Sequence, residues 1–125
     1  MKKEELMIND WVLLNGEPKQ VMEMLFDSIT IDCYPIELDY IEPIPLTPEM
    51  LDRNGFTNTG DGTYTKMFNG EHCLIYVGFK YHTIDALMSF GNTKRNEVSL
   101  NNCGMYLHEL QHVLRLCGIK KEIVP

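Results

Sequence analysis

The segment LTPEMLDRNGF, residues 46–56, constrains this chain more than any other stretch. Thr47 can accept a hydrogen bond from a free amide at a helix start, and Pro48 suits the first helical position, where its missing N–H costs nothing. Glu49 falls in the first turn, where a carboxylate is favoured. Gly55 can take the left-handed conformation that ends a helix, with Phe56 folding back onto Leu51 or a neighbour. The predicted helix, 47–54, has two turns. A helix that short is not stable alone, so it must dock on something broader, and the flanking sequence predicts a sheet.

On either side the chain is punctuated at short intervals. LMINDWVLL, 6–14, runs into Asn15-Gly16, a pair that readily takes the positive φ angles of a type I′ turn, and PKQVMEMLF returns on the other side as a β-hairpin. SITID at 28–32 and IELDYIEPI at 36–44 read as further extended stretches. After residue 56, turns at GDG (60–62), Asn69-Gly70 and GNTKRN (91–96) separate TYTKMF, CLIYVGF (73–79), KYHTIDALMSF and EVSL. This is a β-meander, in which the piece from Ile84 to Met88 is open between strand and short helix. Trp11, Val12 and Val21 read as core or rim packing. Tyr64, Tyr76 and Tyr81 fit either a half-buried sheet or the lining of a pocket. No repeat, low-complexity tract or linker interrupts the 125 residues. One domain, 1–125, is expected, of α+β class: an antiparallel, partly barrel-like sheet of SH3 type, one short capped helix and a C-terminal amphipathic helix.

Charge narrows the partners. Eleven Lys and Arg stand against 18 Asp and Glu, a formal charge of −7. That balance argues against general binding to DNA or RNA, where affinity comes from cations that neutralise phosphates. It leaves room for one local basic pocket, with Lys94 and Arg95 in a turn, Arg115 on the last helix, and Lys120 and Lys121 after it as candidate ligand-binding residues. The structural alternative for these five is a solvated surface with favourable charges near a helix C-terminus. No apolar run approaches a membrane span, and the start MKKEELMINDW lacks the apolar block of a secretory signal, so a cytoplasmic protein is expected. Cys33, Cys73, Cys103 and Cys117 are widely spaced, with no Cys-x-x-Cys, and read as small apolar groups rather than a disulfide frame.

Residues 105–117, MYLHELQHVLRLC, carry the helical period, with Asn101 or Asn102 as candidate cap and Gly118 as terminator. At 100° per residue, Cys103, Tyr106, Leu107, Leu110, Val113, Leu114 and Cys117 share one side, which should face the core. His108, Gln111, His112 and Arg115 then project into water, with Glu109 on the flank. The same stretch spells His-Glu-x-x-His. Histidines at i and i+4 can share one Zn²⁺, with the intervening glutamate as base toward a metal-bound water. A third ligand is then needed, and the metzincin extension is absent, because Arg115 and Gly118 stand where Gly and His belong. The preferred reading is the structural one, with no catalytic residue, metal or cofactor. The alternative is a zinc hydrolase. His72 and His82 read as surface or hydrogen-bonded core residues, with membership of a metal cluster as their alternative.

Two resemblances extend this. EHCLIYVG at 71–78 followed by HELQH resembles peptide deformylase, which implies Cys73, His108 and His112 as zinc ligands and Glu109 as general base. The likeness covers about ten residues and departs at His72, Ile75 and Gln111, and no GxGLAAxQ segment is present. Across most of the chain, INDWVLLNGEPKQV (8–21), EPIPLTPEMLDRNGF (42–56) and YLHELQHVLRLCGI (106–119) are similar to a set of small proteins of Bacteroides-type bacteria, their phages and mobile elements. In that set the second histidine of the motif is often replaced by Asn. This resemblance implies a setting rather than an activity. The preferred function is a non-catalytic accessory protein of phage or mobile-element origin that acts by binding. One form would be an oligomer that sequesters a small signalling ligand such as a cyclic nucleotide, or engages a host protein.

Overall fold

The computed structural model describes residues 1–68, 73–90 and 93–125, with the side chains of Lys3, 89–90 and 93–98 outside that description. The chain has the α+β class expected, with antiparallel sheets that are not closed into a barrel. It gathers into two compact units, Met1–Ile44 with Pro125, and Pro45–Val124. No helix among the described residues is long and apolar enough to cross a membrane.

In the first unit, β1 (Trp11–Leu14) and β2 (Glu17–Gln20) form the predicted hairpin, and Asn15 and Gly16 take φ of 54° and 78°, as a type I′ turn requires. β3 (Glu23–Met24), β4 (Ser28–Ile31) and β5 (Tyr34–Glu37) form a second small sheet, closed by another tight turn with positive φ at Asp32 and Cys33. The expected extended run 36–44 is broken by a 3-10 turn, Leu38–Tyr40, after which β6 (Ile41–Pro43) joins β1. Ile36, before that turn, and Leu38, within it, both pack on the buried cluster of Leu6, Val12, Val21, Ile29, Ile31 and Ile41.

The second unit is a five-stranded meander in the order β11-β10-β9-β8-β7, from β7 (Thr57–Gly60), β8 (Thr63–Phe68), β9 (Cys73–Gly78), β10 (Thr83–Phe90) and β11 (Thr93–Leu100). The stretch Ile84–Met88 is strand, paired on both sides. Of the turn expected at 91–96, Thr93–Asn96, with Lys94 and Arg95, belong instead to β11, and 91–92 lie outside the described residues. The turn expected at Asn69-Gly70 lies outside the described residues.

α1 (Pro48–Arg53) starts and stops as predicted: Thr47 Oγ1 accepts from Met50 N at 3.2 Å, Gly55 has φ +86°, and Phe56 N donates back to Leu51 O at 2.9 Å. α2 (Leu107–Leu116) begins later than expected, because Tyr106 rather than an asparagine is its N-cap, and Gly118 (φ +74°) ends it. Leu107, Leu110, Val113 and Leu114 of α2 are buried, as are Ile75, Val77, Ile84 and Ala86 of the sheet, and α2 packs against β10.

Candidate functional site

α2 carries the motif that most invited a function, and the structure corrects which of its sides is wet. His108 and Gln111 are buried, at 5% and 4% exposure, while His112, Arg115 and Glu109 are half-buried and Leu116 is 74% exposed. Gln111 is buried because the segment after α2 lies over it. Its Nε2 donates to Lys121 O at 3.2 Å and its Oε1 accepts from Ile123 N at 2.9 Å. A carboxamide loses its hydration at little net cost when both of its ends are bonded, so a polar residue can sit on a covered helix face. The periodicity of apolar residues carries no signal for that.

The residues of the zinc reading are not brought together. The His108 and His112 rings are 5.6 Å apart, edge to face, and His108 is also stacked on Tyr106 at 5.8 Å and 11°. Gly104 makes room for this stack, since a Cβ there would collide with the Tyr106 ring. Glu109 holds the helix start, where its carboxylate accepts from Tyr106 N at 2.9 Å and Gly104 N at 3.3 Å. These two bonds tie the carboxylate to the backbone at the N-terminus of α2. Cys73, fully buried on β9, lies beside Cys117, and burial together with that neighbouring thiol pushes its pKa up to about 11. Cys117 is nine residues after His108, about half a turn round the helix and roughly 13 Å along it. Cys73 therefore sits at the far end and opposite face of α2 from the first imidazole. Among the described residues no three His, Cys, Asp or Glu side chains group to hold a metal. His82 is exposed in the β9–β10 turn, its carbonyl accepting from Cys103 N at 3.0 Å, and His72 lies outside the described residues.

A different cluster does form, around Lys121. β8 alternates inward at Tyr64, Lys66 and Phe68, and its register sets Lys66 opposite the buried Ile75. Lys66 thus occupies a core-facing position, its ammonium 5.1 Å from the Phe68 ring centre and 6.0 Å from that of Phe56. The long stem covers apolar surface while the charge emerges at the edge, where Nζ donates to Asn54 O at 2.6 Å, at the C-cap of α1. Gly55 permits the approach: a Cβ there would meet Lys66 Nζ at 3.0 Å.

Lys121 arrives beside it because two carboxamides hold the last segment. Gln111 bonds Lys121 O and Ile123 N, and Asn54 pairs with both backbone groups of Val124, donating from Nδ2 at 2.9 Å and accepting at Oδ1 at 3.0 Å. Burial, then the neighbouring Lys121 ammonium, holds the Lys66 pKa below the ordinary lysine value. Arg53, Lys66, Lys121 and Glu122 line one cleft of about 450 Å³. Of the five basic residues expected to bind a ligand, Lys121 lines this cleft. Arg115 is half-buried on α2, Lys120 is exposed beyond it, and the side chains of Lys94 and Arg95 are not described. Lys66 and Arg53 were missed by sequence reading. The available signal was the alternation of TYTKMF, which places a lysine between two inward aromatics. No family model, curated protein or solved structure matches the chain.

Proposed function

We propose that this chain is a non-catalytic, cytoplasmic binding protein of the phage or mobile-element accessory class, which sequesters a small phosphate-bearing ligand such as a cyclic nucleotide. The reading rests on one observation: Lys66 and Lys121 are held side by side, one of them with a lowered pKa, in a cleft that also takes Arg53. Bringing two ammonium groups together is unfavourable, and a phosphate between them converts that repulsion into two charge-assisted contacts. The folding of the last segment supports it too, since Gln111 and Asn54 fix the backbone at Lys121 and just after it before any ligand arrives. Such preorganisation lowers the ordering cost of binding.

Glu122 lines the same cleft and disfavours a highly charged anion. A ligand with one or two phosphodiesters and an apolar ring face fits the mixture of cations with Ile123 and Val124 better than free phosphate does. The test is to expose the protein to a nucleotide extract, desalt it, denature it and identify released compounds by mass spectrometry. Wild type should release a phosphate-bearing compound that the Lys121→Glu variant does not retain. Empty release from wild type in every oligomeric state overturns the proposal.

A further inference from the structure

The whole of the chain's charge imbalance lies in one unit. Residues 1–44 carry three lysines and ten carboxylates, a formal −7, while 45–124 carry eight of each sign and are neutral. Of the three lysines, Lys19 is bound to Asp32 at 3.1 Å. The acidic unit also has a groove of about 440 Å³ lined by Leu14, Asn15, Pro35, Ile36, Glu37 and Tyr40. Leu14 and Ile36 form its apolar floor, half-buried over the core of the unit. Tyr40 stands at 64% exposure on its wall, presented by the 3-10 turn that interrupts the strand. One carboxylate, that of Glu37, lines it, and two exposed ones are next to lining residues: Asp39 directly precedes Tyr40 in the chain, and Glu17 pairs with Leu14 across the hairpin.

We infer that this groove docks a basic peptide segment of a partner protein, one that places an aliphatic side chain on Leu14 and Ile36 and flanks it with Lys or Arg. The chemistry is complementary in three respects. An apolar anchor fits the floor, a guanidinium or ammonium can lie on the exposed Tyr40 face, and the carboxylates supply charge pairing at a rim where it governs encounter rate and partner choice. The unit's −7 also draws cationic segments from beyond the groove itself. Strand addition does not explain the surface. β5 is a sheet edge, but the register of its tight hairpin turns the Pro35 nitrogen outward, and proline has no N–H to offer an incoming strand. Recognition must therefore run through side chains. This inference concerns a different unit from the Lys66–Lys121 cleft and stands whether or not that cleft binds an anion.

The test is fluorescence anisotropy with a labelled octapeptide carrying two leucines among lysines and arginines, and a counterpart in which every basic residue is glutamate. The basic probe should bind saturably and weaken about tenfold between about 50 and about 300 mM salt. Tyr40→Ala and Glu37→Lys should each weaken it by at least about fivefold. Both residues are exposed, and amide NMR spectra of the variants, unchanged outside 14–15 and 35–40, verify the fold. No saturable binding, equal binding of the acidic probe, or an affinity unmoved by Tyr40→Ala would overturn the inference.

Discussion

Gln111→Ala separates the two accounts of α2 more sharply than any change to the histidines. The substitution removes the donor to Lys121 O and the acceptor for Ile123 N, bonds of 3.2 and 2.9 Å. Losing the bond to Lys121 O costs about 1 kcal/mol net, and leaving the buried Ile123 amide without its acceptor costs about 1–3 kcal/mol. The segment could instead peel away, but that exposes Ile119 and Ile123, now 3% and 1% exposed, at about 1.5–3 kcal/mol each. Peeling is the costlier route, so the segment stays docked and bears the unpaired amide. The expected loss is about 2–4 kcal/mol by urea unfolding followed by far-UV circular dichroism, with faster hydrogen exchange at the Ile123 amide. A glutamine on a wet helix face would give a change within about 0.5 kcal/mol. A shift that small, with Ile123 exchange unaltered, would refute the clamp and with it the account of how Lys121 reaches Lys66.

Further expectations follow from the same geometry. Thr47→Ala removes the acceptor for Met50 N and should cost about 1 kcal/mol in thermal or urea unfolding, whereas Thr47→Ser should be nearly neutral. Cys73 is neutral in the folded state up to about pH 11 but ionises near its ordinary value when unfolded, so stability present below pH 9 should fall as pH rises toward 11. Alkaline unfolding curves of Cys73→Ala measured against wild type check this, and a parallel pH dependence would contradict it. Anion affinity at the Lys66–Lys121 cleft should decline at a lower pH than for ordinary lysines, because burial and Lys121 favour loss of the Lys66 proton. Calorimetric titrations across alkaline pH read this directly. Protein purified without a histidine tag should contain substoichiometric zinc, unchanged in His108→Ala; one zinc per chain that disappears in the variant would restore the hydrolase reading.

Much of the fold was legible because its signals are local. The cap at Thr47, the left-handed glycine at 55, the Asn15-Gly16 turn and the terminator at Gly118 each depend on residues within one turn of one another. The break at Leu38–Tyr40 was not legible, because those residues are compatible with a strand and the contacts they make come from far along the chain: Leu38 packs on the buried cluster, and the Met1 amino group donates to the carbonyls of Leu38 and Ile41. The candidate site was legible only in Lys121. Lys66 lies 55 positions earlier in the chain, and nothing in either neighbourhood announces the other.

Sequence alone determined the turns at Asn15-Gly16 and Asp61-Gly62, the ends of α1 and the apolar residues of α2, since turn chemistry and side-chain period act over a few residues. Tertiary structure decided what covers the other side of α2, and hence that Gln111 is a clamp, that Glu109 is a cap and that Cys73 is remote from the imidazoles. Burial of a polar group depends on whether a distant segment brings the matching donor and acceptor, and that pairing is a property of the folded chain rather than of any window within it.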